Sequence, residues 1–111
     1  MSDCLIAAYA DAGVGPIDFP AAPTITISKA VKKAGLSIDD ISPEISEAFS
    51  VVVNITEKVL SFSRSKINVN GGAIALGHGV CNSGSRIVVS LVYTPRPGRC
   101  DVARVQKCRN L

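Results

Sequence analysis

The 111-residue sequence has no tryptophan, one methionine, one histidine, and an aromatic content of only 5%. A core with so few large rings must be filled by aliphatic side chains, and the 47% hydrophobic content, rich in Ala, Val and Ile, can fill one. No CxxC pair is present: Cys4, Cys81, Cys100 and Cys108 are scattered, and with a single histidine they lack the ligand spacing of a zinc site or the pattern of a disulfide framework. No base precedes Lys29, so MSDCLIAAYADAG has neither the charged start of a secretory signal nor the arginines of a transit peptide. No apolar run approaches the roughly 18 residues of a membrane helix. Together these absences predict a soluble cytoplasmic protein with no metal site and no membrane partner.

Charge is also scarce where it would matter for nucleic acid. Residues 1–93 hold seven bases and eight acids, a net charge of −1, while residues 94–111 hold Arg96, Arg99, Arg104, Lys107 and Arg109 against Asp101, a net charge of +4. The body therefore offers no basic face, and no nucleic-acid partner is expected. Any anionic partner would have to meet the tail.

A chain of this length accommodates one domain. CLIAAYA at residues 4–10 reads as a short strand, and DAGVGPIDFPAAP, with three prolines and two glycines, as a loop. Pro23 can open a helix. Between Thr24 and Ala34, Ile27, Ala30, Val31 and Ala34 share one face, Lys29, Lys32 and Lys33 take the other, and Gly35 stands as the C-cap. A second helix is predicted over 51–60 with Val52, Ile55, Val59 and Leu60 inward. A strand is expected to begin at Ile67–Val69. A largely apolar, and therefore buried, helix is expected over 83–92 with Ser83 as N-cap.

Most of the chemistry lies in NVNGGAIALGHGVCNSGSR, residues 68–86, where five of the nine glycines surround His78. Histidine exchanges a proton near neutral pH, and glycine allows positive φ or a close backbone approach. A lone histidine in such a turn also fits a purely structural role. The stretch resembles the C-terminal signature of the thiolases, NxxGGxxxxGHPxGxSG, with Asn68, Gly71, Gly72, Gly77, His78, Ser83 and Gly84 in register. Gly79 replaces the family's proline and Cys81 its glycine or alanine, which predicts a looser turn after His78.

Two further blocks carry the resemblance. AP followed by KAVKKAGLSIDDI is similar to the family's AP(x)nKALKKAGL and acidic turn. EISEAFS, residues 44–50, is similar to E(L/I/V)NEAFA at the end of a strand. Ser46 there takes the place of an asparagine that, in the family, holds a water at an oxyanion site; serine keeps an oxygen but not the amide donor. By its residues alone, Ser46 also reads as an N-cap ahead of an apolar helix. Pro43 removes a ladder donor, so a damaged or displaced strand is expected at SPEIS. The likeness spans roughly residues 7–92. Beyond it TPRPGRCDVARVQKCRNL lacks the family's CxGGG-like turn, and neither Cys100 nor Cys108 is followed by its glycines.

The resemblance implies an α/β fold, the C-terminal half of a thiolase in which helices pack a mixed sheet. Residues 1–93 would be the partial domain and 94–111 a basic, disordered tail outside the family. The alternative is a tail that replaces the lost C-terminal strand, with Val102 and Val105 against the sheet. Thiolases transfer an acetyl group between coenzyme A thioesters. They use an acyl-carrying cysteine in the N-terminal half, the GHP histidine that activates it, and the CxGGG cysteine as acid and base. Of that set only His78 is present, with Ser46 as a weaker site residue. The resemblance therefore implies an acyl-CoA substrate, no bound cofactor, thiolase subunits as partners, and no turnover by the chain alone. The rival reading is a non-catalytic protein that pairs with an intact thiolase subunit or binds an anion through its tail.

Overall fold

The computed structural model describes residues 6–94 and, as backbone, Cys100–Arg104. Helix α1 spans Ala22–Ala34, with Pro23 in its first turn and Gly35 closing it at φ 71°. The Gly35 N–H bonds to the Lys32 carbonyl at 3.2 Å and the Leu36 N–H to the Val31 carbonyl at 3.1 Å, the paired bonds of a Schellman ending. Thr24, Thr26 and Ser28 return their hydroxyls to the carbonyls of Ala21, Ala22 and Thr24, so polar residues sit in this helix without unpaired donors. The predicted inward face holds: Ile27 and Val31 are buried.

Strand β1, Ile41–Ile45, follows a short turn in which the Ser37 N–H bonds to the Asp40 carboxylate at 3.0 Å. Helices α2 (Ser50–Leu60), α3 (Ala73–Leu76) and α4 (Ser83–Tyr93) then lead to β2, Cys100–Arg104. The two strands pair in parallel, Ile41 opposite Cys100 and Ile45 opposite Arg104, which requires the long helical crossover between them. Every β1 residue is buried, as expected of a strand covered on both faces. Ile41 and Ile45 join Ile27, Val31, Val52, Val53, Phe62 and Ile67 in one core. Each fully buried isoleucine of this kind contributes about 1.5–3 kcal/mol.

Several expectations are corrected. The expected strand at 4–10 does not form: residues 6–10 have no strand partner, and residues 4 and 5 lie outside the described residues. This segment is held instead to α1, where the Lys33 ammonium sits 4.4 Å from the centre of the Tyr9 ring and also donates to the Tyr9 carbonyl. Helix α2 turns Val52, Val53 and Thr56 inward and leaves Val59 61% exposed. Thr56 can take a core position because its hydroxyl bonds to the Val52 carbonyl at 2.8 Å. The tail, expected to lack order, contributes β2. Val102 lies in register with Pro43, and Val105 lies outside the described residues.

Pro43 does not damage its strand, and the hydrogen bonds explain why. Its carbonyl accepts the Asn68 N–H at 3.1 Å, on the edge away from β2. A residue's N–H and C=O point to the same side of a strand, so the donor that Pro43 lacks would have faced that outer edge and not the ladder with β2. Two residues on, on the same edge, the Ile45 N–H donates to Asn68 Oδ1 at 2.6 Å and the Ile45 carbonyl accepts Asn68 Nδ2 at 3.1 Å. Residues 67–69, expected to begin a strand, form a bend and turn, and the Asn68 side chain does the work of a strand neighbour. Asn68→Ala leaves both Ile45 groups unpaired at the core's edge and should cost about 2 kcal/mol, at roughly 1 kcal/mol per lost bond. Urea unfolding of the two proteins checks this, and equal midpoints would refute it.

The helix expected to be buried is not. In α4 only Ser83 and Ile87 are buried, while Val88, Val89, Val92 and Tyr93 are 45%, 54%, 44% and 79% exposed. One side of α4 lies against β1 and β2, and among the described residues no further layer covers the other. Contiguous apolar exposure of this kind marks a surface suited to contact with another layer of polypeptide.

Candidate active site

Asn68 begins the segment that carries the histidine. Its own φ is 49°, and its carbonyl accepts the Gly71 N–H at 2.9 Å, closing a turn that delivers the chain to Gly72 and α3. The buried Glu47 side chain lies so close over Gly72 that a Cβ there would collide with its carboxylate and with the Asn68 amide. Only glycine permits that approach. The end of β1, which leads to Ser46 and Glu47, is thus tied to the glycine segment twice, through Asn68 to Ile45 and through Glu47 to Gly72.

Helix α3 lasts four residues and stops at Gly77, whose φ of 89° disfavours any side chain and turns the chain outward. His78 follows, exposed to solvent. The turn beyond it is closed more firmly than the exchange of proline for Gly79 suggested. The Gly79 carbonyl accepts the Asn82 N–H at 3.0 Å, the Ser83 N–H at 2.9 Å and the Ser83 hydroxyl at 2.9 Å. Asn82, not Ser83, is the N-cap of α4. Ser83 is the first helical residue, buried, with its hydroxyl aimed back into the turn.

That hydroxyl also lies 2.9 Å from His78 Nδ1. A serine hydroxyl has one hydrogen, and here it goes to the Gly79 carbonyl. Ser83 Oγ then accepts from His78, which puts a proton on Nδ1 and leaves Nε2 outside this hydrogen-bond chain. The geometry orients the ring through Nδ1, with the second nitrogen free to exchange a proton or, once protonated, to donate to a developing oxyanion.

Ser46 is half-buried in the link between β1 and α2 and shares no hydrogen bond with His78. It is not an N-cap either, since Phe49 holds that position for α2. Glu47 and Ser83 are the residues whose local roles went unread. Ser83 stood in the motif as a helix start, but its contact with a ring five residues back depends on the Gly79 turn geometry. Cys81 is exposed. Among the described residues no three His, Cys, Asp or Glu side chains come together as metal ligands, and no helix is long and apolar enough to cross a membrane.

The family model described as "Thiolase, C-terminal domain" matches residues 2–109, running through the tail that had been set outside the family. Mouse mitochondrial acetyl-CoA acetyltransferase is 48% identical over 101 residues, covering 90% of this chain and 24% of that protein. Acetyl-CoA acetyltransferase of Yarrowia lipolytica is 50% identical over 101 residues, covering 90% of this chain and 25% of the relative. Among solved structures, the Acat5 thiolase of Ascaris suum in complex with coenzyme A superposes with a TM-score of 0.82 at 43% identity, covering 86% of this chain and 25% of that one. Human mitochondrial 3-ketoacyl-CoA thiolase in complex with CoA gives 0.73 at 46% identity, covering 77% and 22%. The chain spans about a quarter of the length of the curated relatives it matches.

Proposed function

Because the chain belongs to the thiolase family through its C-terminal domain, we propose that it supplies the histidine-bearing quarter of an acetyl-CoA acetyltransferase, with His78 as the proton-exchanging group, and that alone it turns over no substrate. The observation that carries this is the hydrogen-bond chain from Nδ1 through Ser83 to Gly79, which leaves Nε2 unengaged. In the assembled enzyme Nε2 takes the proton of a thiol supplied from outside this domain. The thiolate adds to the thioester carbonyl of an acyl-CoA while the imidazolium N–H faces the oxygen on which negative charge collects; collapse of the adduct breaks the C–S bond to coenzyme A, whose departing thiolate takes the imidazolium proton. Ser46, at the family's asparagine position, contributes a weaker oxygen to the same region. Relatives whose structures hold coenzyme A support a coenzyme A thioester as the substrate. The names of the mouse and cattle relatives support a mitochondrial parent in place of the cytoplasmic one suggested by the N-terminal composition.

The test is complementation. The chain alone should show no thiolysis of acetoacetyl-CoA above background, whereas co-expression with the mouse relative lacking its matching quarter should restore it. Restored binding without turnover would instead favour the second reading, a non-catalytic partner of thiolase polypeptides, which the exposed apolar side of α4 supports.

A further inference from the structure

His78, Gly79, Val80, Cys81 and Asn82 are all exposed, so burial does not hold the turn that carries the histidine. What holds it converges on one atom. The Gly79 carbonyl oxygen accepts the Asn82 N–H, the Ser83 N–H and the Ser83 hydroxyl, and that hydroxyl is the group in contact with His78 Nδ1. The imidazole is therefore only as well oriented as the Gly79 peptide. Glycine is the residue least able to fix its own peptide, because it has no Cβ to restrict φ and ψ. Yet Gly79 is not in the left-handed region, so its backbone angles do not call for glycine. Space does: a Cβ at this position would collide with the side-chain oxygen of Asn82, and Oδ1, Cγ and Nδ2 of Asn82 all lie within 4 Å of that point. Asn82 is the N-cap of α4, where an asparagine side chain commonly accepts from the first turn, but here it makes no side-chain cap bond. Its carboxamide lies across Gly79 instead.

We propose that Asn82 is a positioning residue for His78: its carboxamide, seated on the bare Gly79 backbone, fixes the Gly79 peptide and, through the Ser83 hydroxyl, the ring. Its consequence for catalysis rests on the reading above, in which His78 exchanges the proton. Gly79 and Asn82 then act as one unit, standing in for the proline that the family motif has at position 79. A proline ring restricts φ by itself but carries a Cβ, so proline and the Asn82 side chain exclude each other in this turn. The Gly79 N–H makes no backbone hydrogen bond, so a proline there would forfeit none.

His78 is the single histidine, so imidazole nitrogen NMR of the histidine-labelled 111-residue chain reads its tautomer directly, with the ring neutral. The wild-type ring should be mainly the Nδ1–H form; an Nε2–H ring would overturn the arrangement. Asn82→Ala should lower the ratio of Nδ1–H to Nε2–H by about 3-fold or more, toward the value in Ser83→Ala, where the hydrogen bond is gone. Gly79→Ala should do the same, because its methyl displaces the carboxamide, and should add nothing once Asn82→Ala is present. Gly79→Pro should lower the ratio while Asn82 remains and restore it when Asn82→Ala has cleared the space. Additive effects at the two positions, or a wild-type ratio in Asn82→Ala, overturn the proposal. So does a fall in Tm with the ratio unchanged, which would give Asn82 a role in the helix end alone. In the complemented enzyme Asn82→Ala should lower kcat by about 3-fold or more with KM unchanged. Wild-type turnover with a kcat indifferent to Asn82→Ala sinks the positioning role and leaves the acetyltransferase reading. A tautomer shift on Asn82→Ala in an assembly that never turns over keeps Asn82 as the residue that sets the ring and removes that reading.

Discussion

Replacing His78 with alanine in the complemented enzyme is expected to lower acetoacetyl-CoA thiolysis by about 10²–10⁴-fold, the range for loss of a positioned acid and base. The size follows from how completely the ring is prepared. Ser83 is buried, its hydrogen is committed to the Gly79 carbonyl, and its oxygen holds Nδ1 at 2.9 Å. Little reorientation therefore remains to be done when a thiol arrives at Nε2. Ser83→Ala should lose less activity, since the imidazole stays but both tautomers become accessible. The stability of the chain should hardly respond to His78→Ala, because the side chain is exposed. A variant with unchanged kcat/KM would place the proton transfer elsewhere; one that lost activity together with Tm would point to a structural role for the ring.

What could be read from the sequence was local. Helix α1 has its apolar spacing, its lysine face and its Gly35 ending within one stretch, and all three appear as expected. The signature around His78 was legible because its residues are contiguous and in register with a family motif, but the closing of its turn by Ser83 and Gly79 was not. Failures arose wherever a distant residue decides the outcome. Pro43 looks disruptive until Asn68, 25 residues later, takes the outer edge of β1. Residues 6–10 have the composition of a strand but no neighbour to pair with among the described residues. Helix α4 has the composition of a buried helix, yet burial is a property of the layers around it, and among the described residues only one side is covered. Thr56 outranks Val59 for a core position because a hydroxyl bonded to its own helix has no further need of water.

The tail gives the other large effect. Ending the chain after Thr94 is expected to cost on the order of 3 kcal/mol or more, a large share of the roughly 5–15 kcal/mol that holds a small domain folded. Residues 94–111 carry two prolines, five bases and only scattered apolar residues, which is why disorder was expected of them, but a strand in a sheet is held first by its backbone. Five residues of β2 stand in register with five of β1. Each ladder bond is worth about 0.5–1.5 kcal/mol, and losing several exceeds the effect of most point substitutions. The loss extends beyond the ladder, because the edge of β1 opposite Asn68 would open to water while Ser42 and Glu44, now buried, sit on that strand. Thermal unfolding of the chain ending at residue 94 should show a broad transition well below that of the 111-residue protein. Amide exchange gives the residue-level result: protection at 101–104 comparable to that at 87–91 is expected, and free exchange there, with an unchanged Tm on truncation, would mean that β2 contributes nothing to the fold.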